Sequence, residues 1–325
     1  MSRRLTIWTI GGESTASTRL RIHQYLPRLA AEGIRPRVRA IPHGFLPRLP
    51  LFGGLTSSDR LLLQKKLFAG PELAWIAARA ERLLYDVDDA VYLDGEGDRR
   101  NGDRFRRVTA AARRVLAGNA TLAAACAEPV RAVLLPTPVD TDRVVPSPAG
   151  RRTAGLVAWI GSRAGLPSLN LVWPAWERVH PRRPQSQLVV MADRAPDRLP
   201  SGASFSPWSP ESERALLGRA TAGLMPLLDT PFNRGKCGFK ILLYQAAGLP
   251  VVASPVGVNR ELVRHGEDGF LAADAPEWER ALDALLGDPR MALGFGEAGR
   301  ARVTADYSVG ALYPRFRDTL LEGWT

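Results

Sequence analysis

Cysteine is nearly absent from this sequence, which has only Cys126 and Cys237 in 325 residues. Two cysteines so far apart along the chain form neither a disulfide framework nor a zinc-ligand pattern, so we expect a reducing compartment. Histidine is scarce too, and its four positions show no metal-ligand spacing. These positions are His23, His43, His180 and His265.

Long apolar runs are also missing. No stretch reaches the roughly 18 apolar residues that a membrane-spanning helix needs. The N-terminal MSRRLTIWTIGG has a short apolar part and no A-x-A cleavage site, so it predicts a first strand and no signal peptide. We therefore expect a cytoplasmic protein.

Lysine is rare although the chain is basic, since 44 residues are Lys or Arg and only Lys65, Lys66, Lys236 and Lys240 are lysines. Residues 1–150 hold 23 Lys/Arg against 15 Asp/Glu, and residues 151–325 hold 21 against 18. A basic first half attracts anionic lipid, phosphorylated substrates or nucleic acid, or it reflects arginine-rich codon usage. No nucleic-acid module accompanies the charge, so we expect no nucleic-acid partner, while peripheral contact with the inner face of a membrane stays open.

What is present is a repeated alternation of short apolar strands with amphipathic stretches. RLTIWTI, IRPRVRAIP, RLLYDVDD and VLAGN predict strands in the first half, and residues 59–69 and 72–81 predict helices. A proline-rich linker at 143–153 precedes a second series that opens with GLVAWIGS. The pattern predicts an α/β protein with two doubly wound parallel sheets, and we expect a site in the cleft between two such domains.

Two strand-to-helix turns carry anion-binding features. In GGESTAS, Gly11 and Gly12 allow close backbone approach beside hydroxyls at a helix start, which suits a phosphate. In IGSRAGLPSL, Gly161 and Ser162 form the turn, and Arg163 offers a bidentate phosphate contact. Neither turn is a dinucleotide fingerprint or a P-loop, and an ordinary turn explains each equally well.

RGKCGFK, at residues 234–240, concentrates two of the four lysines. Lys236 and Lys240 are four residues apart and share a helix face if the helix has already begun. A lysine at a helix N-terminus is disfavoured by the helix dipole unless an anion offsets it. The segment predicts a bound anion, with a solvated basic turn as the alternative.

DVDD, at residues 86–89, closes a strand with three carboxylates. Clustered carboxylates repel one another, so they need a raised pKa, a cation or a metal. A D-x-D metal site, a site for substrate hydroxyls and a structural pairing with nearby arginines all stay open here.

The run GLMPLLDTPFNRGKCGFKILLYQAAGLPVVASPVGVNRELVRHGEDGFLA resembles the donor-binding region of family 4 glycosyltransferases of the GT-B fold. The matching landmarks are Gly248–Ser254, Gly257, Glu261 and His265–Leu271. The closing DYSVGALYPRFRDTLLEGW resembles the family's C-terminal helix, which crosses back to the first domain. The resemblance implies two Rossmann-like domains facing each other across a cleft, with an acceptor domain at 1–148, a nucleotide-sugar domain at 149–306 and the crossing helix at 307–325.

The resemblance implies transfer of a sugar from a nucleoside diphosphate sugar to an acceptor hydroxyl, with retention and with neither metal nor cofactor. Separately from the resemblance, the basic charge of the first domain suggests an anionic or lipid-linked acceptor. The residues to which it gives catalytic roles are Lys236, Lys240, Arg163 and Asp88. The implied donor-binding residues are Gly11, Gly12, Gly161, Ser162, Trp208, Gly257, Val258, Asn259 and Glu261. The implied acceptor-binding residues are Arg19, Arg21, Asp86 and Asp89. Trp208 suits the base pocket or core packing equally.

One departure separates this chain from many members of that family. Many members carry an E-x₇-E pair, and the positions of its two glutamates correspond to Gly235 and Leu243 in this chain. This sequence resembles a branch of the family with an R-G-K-C-x-F-K pattern. Ribose is then recognised elsewhere, or the donor differs, or catalytic power is reduced. A non-catalytic nucleotide-sugar-binding protein is the alternative function.

Overall fold

The computed structural model describes residues 4–93, 99–148 and 151–323, and its strands form parallel pairs. In chain order the strands are β1 (Arg4–Thr9), β2 (Arg37–Ala40), β3 (Asp59–Gln64), β4 (Arg82–Val87), β5 (Arg114–Ala117), β6 (Ala132–Leu134), β7 (Leu156–Ile160), β8 (Gln187–Ala192), β9 (Ala203–Pro207), β10 (Ala222–Met225), β11 (Val251–Ala253) and β12 (Gly269–Leu271).

Helices connect most of these strands. The α-helices are α1 (Ala16–Arg21), α2 (Leu26–Ala31), α3 (Leu49–Gly53), α4 (Gly70–Arg79), α5 (Arg99–Ala111), α6 (Ala120–Ala124), α7 (Trp173–Arg182), α8 (Pro210–Arg219), α9 (Pro231–Arg234), α10 (Phe239–Ala246), α11 (Asn259–Leu262), α12 (Ala275–Gly287), α13 (Pro289–Asp306) and α14 (Val309–Leu321). Short 3₁₀ helices lie at His23–Tyr25, Leu46–Arg48, Pro129–Arg131 and Arg163–Leu171.

The chain forms two compact units. Unit 1 comprises Met1–Pro138, Arg234–Cys237 and Val309–Thr325, and unit 2 comprises Val139–Asn233 and Gly238–Ser308. The domain bounds that the sequence predicts, 1–148, 149–306 and 307–325, stay predictions. Parts of three predicted segments lie outside the described residues: 1–3 of the N-terminal MSRRLTIWTIGG, 149–150 of the linker and 324–325 of the C-terminal helix. Residues 94–98 also lie outside them.

Unit 1 is built on a six-stranded sheet in the order β2-β1-β3-β4-β5-β6. Both faces are covered, because Trp8 and Leu61 belong to one apolar core while Ile7 and Leu62 belong to another. The second of these cores includes α14, whose Phe316 ring stacks on Tyr25 at 4.2 Å. The strand order is of the flavodoxin type with an added strand, and its switch point lies between β1 and β3.

Unit 2 is built on a six-stranded sheet in the order β12-β11-β10-β7-β8-β9. Counted from the first strand of this unit, the order is 3-2-1-4-5-6, which is the dinucleotide-binding type. The chain reverses direction across the sheet between β7 and β10, so the ligand-binding crevice of such a sheet lies beyond the carboxyl ends of these two strands. The predicted α/β fold with two doubly wound parallel sheets is confirmed.

One predicted helix is wrong. Residues 59–69 begin with β3, and all six residues of that strand are buried. A central strand of a parallel sheet buries both faces, so its apolar run resembles a buried helix in sequence. The helix predicted at 72–81 is confirmed by α4, whereas β9 and β12 were not predicted as strands because their sequences are short and partly polar.

Candidate active site

Residues predicted to bind the donor gather at one edge of the unit 2 sheet. Gly161–Arg163 follow β7, Trp208 follows β9, and the loop with Gly257 follows β11. Lys240 is the second residue of α10, which leads from β10 towards β11. Parallel strands end at the same edge, and β7 and β10 flank the switch point. The structure thus brings these residues to the edge where ligands bind in such sheets.

Lys240 lies over the indole of Trp159, with its Nζ 4.9 Å from the ring centroid. The indole fits there because two neighbours are glycines: a Cβ atom would lie 2.2 Å from the ring at Gly161 and 3.2 Å from it at Gly165. An ammonium over an aromatic face is attracted by the ring quadrupole. The Lys240 cation is therefore held at the start of a helix, where the helix dipole favours an anion beside it.

The start of α10 is set by Gly238, whose φ of 63° lies in the left-handed region. A side chain at this position would also collide with Leu262, since a Cβ atom would lie 2.4 Å from Leu262 Cδ1. The helix therefore begins at Phe239, and Lys236 precedes it. The condition under which Lys236 and Lys240 would share a helix face is not met, because the helix begins only after Gly238 and Lys236 belongs to unit 1.

Arg163 begins the 3₁₀ helix that follows β7, and its side chain is exposed. Its backbone N–H donates to Asp193 Oδ1 at 2.5 Å, so the carboxylate at the end of β8 fixes the position of the turn. The neighbouring Ser162 is exposed, and its hydroxyl makes no capping bond. A guanidinium and a hydroxyl thus face solvent at the switch point.

The loop after β11 is held by Asn259, which is 1% exposed and donates through Nδ2 to the Ser254 carbonyl at 3.0 Å. Gly257 has a φ of 53°, a backbone conformation that favours glycine. Glu261 is exposed. The Asn259 backbone N–H also donates, to the Val256 carbonyl at 3.2 Å, so both the side chain and the amide of Asn259 support the loop.

Trp208, at the end of β9, is 39% exposed, and its Nε1 donates to Glu213 Oε2 at 2.8 Å. Its indole is thus oriented by a carboxylate on α8. The ring is not part of the apolar cores, which removes the core-packing alternative. Its role beside a base stays a prediction.

The segment Arg234–Cys237 is held in unit 1 by Asn119. The Asn119 amide donates to the carbonyl oxygens of Gly235 at 2.9 Å and Lys236 at 3.0 Å, while its Oδ1 caps α6 by accepting from the Leu122 N–H. Cys237 Sγ donates to the Asp88 carbonyl at 3.1 Å. Burial lowers the pKa of Lys236, and the Asp89 carboxylate only partly counters this.

The two positions of the family's glutamate pair are closed to ligand. A Cβ atom at Gly235 would lie 2.7 Å from Ala90 Cβ, so unit 1 leaves no room for a side chain there. Leu243 is 5% exposed and belongs to the apolar core of unit 2. The departure from E-x₇-E is therefore built into the packing at both positions.

The carboxylates of DVDD are paired with cations. Lys65 Nζ lies 2.9 Å from Asp88 Oδ1 and 2.6 Å from Asp89 Oδ2, and Ser17 Oγ donates to Asp88 Oδ2 at 2.7 Å. Burial raises the pKa of Asp88, but Lys65, Arg21 and the Ser17 hydroxyl outweigh it, so this pKa lies below its usual value. Burial and the neighbouring Asp88 raise the pKa of Asp89. Of the three alternatives for DVDD, structural pairing with cations describes these contacts. Lys65, rather than an arginine, is the main partner of Asp88 and Asp89.

Arg21 and Asp86 form a fully buried ion pair, with Nη2 and Oδ1 2.5 Å apart. Arg21 also donates to the Leu135 carbonyl at 2.6 Å. Arg19 is partly buried and donates to the Glu13 carbonyl. The contacts of Arg21 and Asp86 are structural, and the acceptor-binding roles of these residues stay predictions.

Gly11 and Gly12 follow β1 at the switch point of unit 1. A Cβ atom at Gly11 would lie 2.1 Å from Thr15 Oγ1, whereas the space beside Gly12 is open. Thr15 N–H donates to the Gly12 carbonyl, which closes the turn before α1. The close backbone approach predicted here fits Gly12; the phosphate contact stays a prediction.

Three residues of these sites were missed by sequence reasoning: Lys65, Asn119 and Trp159. Lys65 directly follows β3 and is the only described non-glycine residue with a positive φ, at 54°. Asn119 follows the strand VLA as a helix-capping residue, a signal that was present but not used. Nothing in the sequence marks Trp159 as a neighbour of Lys240.

In the part of the chain that the structure describes, no group of three or more His, Cys, Asp or Glu side chains could hold a metal ion. Among the described helices, none is both long and apolar enough to span a bilayer.

The unit 2 edge lies in a range of the sequence that is similar to a known family. Residues 156–288 match the family model described as "Glycosyl transferases group 1". This range contains Trp159, Arg163, Lys240 and Gly257, so the edge described above lies within the matched residues. The matched segment is thus similar to glycosyltransferases, in agreement with the enzyme class predicted from the sequence.

A curated relative is similar over part of the chain. It is the D-inositol 3-phosphate glycosyltransferase of Thermobispora bispora, 33% identical over 120 residues, which are 36% of this chain and 27% of that protein. The chain thus matches about a quarter of this relative's length.

Solved structures are similar over the whole chain. HepE of Anabaena in complex with UDP and glucose has a TM-score of 0.72 and 15% identity, covering 99% of this chain and 100% of that one. The sucrose-phosphate synthase of Thermosynechococcus elongatus has a TM-score of 0.71 and 17% identity, covering 98% of each chain. At these identities the likeness shows the fold alone, which is that of GT-B glycosyltransferases.

Proposed function

We propose that the protein transfers a sugar from a nucleoside diphosphate sugar to an acceptor hydroxyl. The observation that carries this proposal is the Lys240 ammonium, placed over Trp159 at the start of α10 and beside the switch point of the unit 2 sheet. A diphosphate is the anion that suits a lysine, an exposed arginine and a glycine-rich turn at such an edge.

The proposed chemistry is charge stabilisation. When the bond between the sugar and the diphosphate breaks, negative charge grows on the leaving diphosphate, and cations already in position lower the barrier. Lys240 and Arg163 supply these cations in unit 2. Gly161, Ser162 and the amides of Gly257 and Val258 would contact phosphate or sugar, with Glu261 beside the sugar and Trp208 beside the base.

Unit 1 contributes the proposed acceptor side. Burial lowers the pKa of Lys236, and a desolvated ammonium favours a nearby anion. Asp88, whose pKa is held below its usual value, is ionised at neutral pH and is the candidate to orient the acceptor hydroxyl. Gly11 and Gly12 are proposed to approach the diphosphate, and Arg19, Arg21, Asp86 and Asp89 to bind or support an acceptor.

Three finer features belong to this proposal. The resemblance to family 4 glycosyltransferases implies retention at the anomeric carbon, without metal or cofactor. The anionic or lipid-linked acceptor rests on the basic balance of residues 1–150 and on the name of the inositol phosphate relative. Both cysteines are free thiols, which supports placing the reaction in the reducing cytoplasm.

A thermal-shift screen tests donor binding. The protein is heated with UDP, ADP and GDP and with their sugar conjugates, because HepE is solved with UDP and with UDP-glucose. A ligand at about 100 times its Kd stabilises the folded state by about 2.7 kcal/mol, which raises the melting temperature measurably. We expect one base to be preferred, and no shift with any of the compounds would overturn the proposal.

Turnover separates an enzyme from a binding protein. The preferred donor is incubated with protein, first alone and then with an acceptor panel of phosphorylated polyols and lipid-linked sugars, and the released nucleoside diphosphate is quantified. Release above the protein-free rate supports transfer or hydrolysis. Donor binding without release across the panel would instead favour the non-catalytic alternative.

A further inference from the structure

The strands β7 and β10 pair only over a short distance. Within the described structure, β10 pairs with β7 at Val157 and Ala158, whereas β8 follows β7 as far as Ile160. The last two residues of β7 therefore lack a neighbouring strand on the β10 side, where the crevice of the sheet opens. A buried backbone N–H without a partner is costly, so an amide on that side has to pair with a group outside the sheet.

Tyr244, on α10, supplies this partner. The Ile160 N–H donates to Tyr244 Oη at 2.7 Å, and Tyr244 is 0% exposed. Its ring lies against Gly223 of β10, where a Cβ atom would lie 2.3 Å from Tyr244 Cγ. A residue larger than glycine would therefore displace the ring. Tyr244 thus contacts both strands that border the crevice, and it belongs to the helix between β10 and β11.

The Tyr244 hydrogen bond joins the two elements that carry the cations of unit 2. Lys240 precedes Tyr244 on α10 by about one helical turn. Ile160 is the last residue of β7, and the turn with Arg163 follows it directly. One hydroxyl therefore fixes the start of α10 relative to the turn after β7.

Lys240 and the end of β7 also meet through an aromatic contact, but that contact is less restrictive. Lys240 Nζ lies 4.9 Å from the ring centroid of Trp159, and a Cβ atom at Gly165 would lie 3.8 Å from the same nitrogen. A cation is attracted to an aromatic ring over a range of positions within about 6 Å, whereas a hydrogen bond specifies both distance and direction. The position of α10 is therefore set more narrowly by Tyr244 than by Trp159.

The Tyr244 hydroxyl does not act on the substrate itself. The side chain is fully buried, and burial raises the pKa of Tyr244 well above its usual value, so the hydroxyl stays neutral. Neither proton transfer nor direct contact with a ligand is open to it. Its effect on the site has to pass through the position of the helix.

We propose that Tyr244 is a positioning residue for the diphosphate site of unit 2. Its hydroxyl holds the start of α10 at a fixed distance from the turn after β7, so that Lys240 and Arg163 contact the same diphosphate. This inference rests on the proposed function, because it requires a nucleoside diphosphate at this edge. It adds a residue that touches no part of the ligand.

The Tyr244→Phe variant tests the role of the hydroxyl. It keeps the ring against Gly223 and removes the acceptor for the Ile160 N–H. Binding of the preferred compound among UDP, ADP and GDP is measured by isothermal calorimetry well below the melting temperature, and its release from the sugar conjugate is measured in parallel. We expect Kd to rise about tenfold and kcat to fall by about 10–100-fold, since a misplacement of about 1 Å can have an effect of that size. A role confined to folding would lower the melting temperature and leave both values unchanged.

A matched tyrosine is the chemical control. Tyr25, in unit 1, is also 0% exposed, and its hydroxyl has no hydrogen-bond partner among the described residues. Tyr25→Phe therefore removes the same atom without removing a hydrogen bond, and its Kd and kcat should equal those of the parent. A comparable loss in Tyr25→Phe would contradict the role given to the Tyr244 hydrogen bond.

A second control separates positioning from stability. Val179, on α7, is 0% exposed and belongs to an apolar core of unit 2. Val179→Ala should lower the melting temperature while Ile160 stays bonded to Tyr244. An unchanged Kd in Val179→Ala supports positioning. A rise equal to that of Tyr244→Phe would attribute the effect to lost stability and make the proposal wrong.

Hydrogen exchange examines the bond itself. The Ile160 amide should exchange slowly in the parent and at least about tenfold faster in Tyr244→Phe, because the variant removes its acceptor. Rapid exchange of this amide in the parent would overturn the proposal even if the variant failed to fold.

The binding experiment also separates this inference from the proposed function. A parent that binds none of UDP, ADP and GDP would overturn both. A parent and a Tyr244→Phe variant that bind with the same Kd would overturn the positioning role alone and leave the donor site in place.

Discussion

Asn119 donates its side-chain amide to the carbonyl oxygen of Gly235, 2.9 Å away and 116 positions later in the sequence. The same amide reaches the carbonyl of Lys236, so one side chain holds two consecutive peptide groups of the segment that carries a proposed catalytic lysine. Both contacts lie within unit 1.

Thiol labelling should report this attachment. Burial raises the pKa of Cys237 well above its usual value, and burial raises the pKa of Cys126 to about 11, so both thiols should react slowly in the native protein at pH 8. The Asn119→Asp variant keeps the capping oxygen and loses the amide donor. Each of the two lost hydrogen bonds should lower the stability of the attached segment by about 1 kcal/mol. We expect Cys237 to be labelled at least about tenfold faster, as measured by mass spectrometry.

Cys126 is the internal control for this labelling experiment. It lies beyond the end of α6, whose cap the aspartate preserves, so its labelling rate should not change. An unchanged rate at Cys237 would show that the Asn119 amide does not hold the segment.

Gly235 should not accept a side chain. A Cβ atom there would lie 2.7 Å from Ala90 Cβ, so we expect Gly235→Ala to lower the free energy of unfolding by about 1–3 kcal/mol. Combining it with Ala90→Gly removes the opposing atom. The double variant should recover at least about 1 kcal/mol relative to the sum of the single variants, measured by urea unfolding as a double-mutant cycle. If the effects of the two substitutions on the free energy of unfolding are simply additive, the side chains at positions 235 and 90 do not contact each other.

Lys240→Ala should reduce kcat/KM by about 10²–10³, the typical effect of removing one well-placed charge-stabilising group. It should also remove the melting-temperature shift caused by the preferred nucleoside diphosphate. Lys66→Ala, a lysine outside the proposed site, is the control and should retain both. A Lys240→Ala protein that binds and turns over donor as the parent does would remove Lys240 from the mechanism.

Protonation of Asp88 should make the free energy of unfolding depend on pH. Its pKa in the folded protein lies below that of an unfolded aspartate, so its stabilising contribution is complete above about pH 4 and is lost as pH falls through the folded pKa. Asp88→Asn should therefore cost about 3 kcal/mol at pH 7, where it leaves buried Lys65 with one carboxylate partner fewer. The difference from the parent should shrink towards pH 3.

Urea unfolding at pH 7 and pH 3 measures this difference. Asp318→Asn is the control, because its side chain is 64% exposed and a surface ion pair contributes little. A parent and an Asp88→Asn variant that differ by the same amount at both pH values would contradict the low pKa of Asp88.

The strand-helix alternation determined the α/β class and most of the elements, because apolar periodicity depends on neighbouring residues alone. It failed at residues 59–69, since a strand buried on both faces loses the period of two that distinguishes it from a buried helix. The order of the strands in each sheet could not be predicted from the sequence either. That order places Lys240 and Arg163 at the switch point of the unit 2 sheet.

The sequence by itself determined which residue types were exceptional: four lysines, a cluster of three carboxylates, and glycines after the strands. Only the tertiary structure decided their partners. Lys65 joined the carboxylates, Lys240 lay over Trp159, and Gly235 met Ala90, because each of these contacts joins residues tens of positions or more apart in the sequence. Local pattern carries no information on which distant side chain will fill a given space, and that choice is made when the sheets assemble and pack.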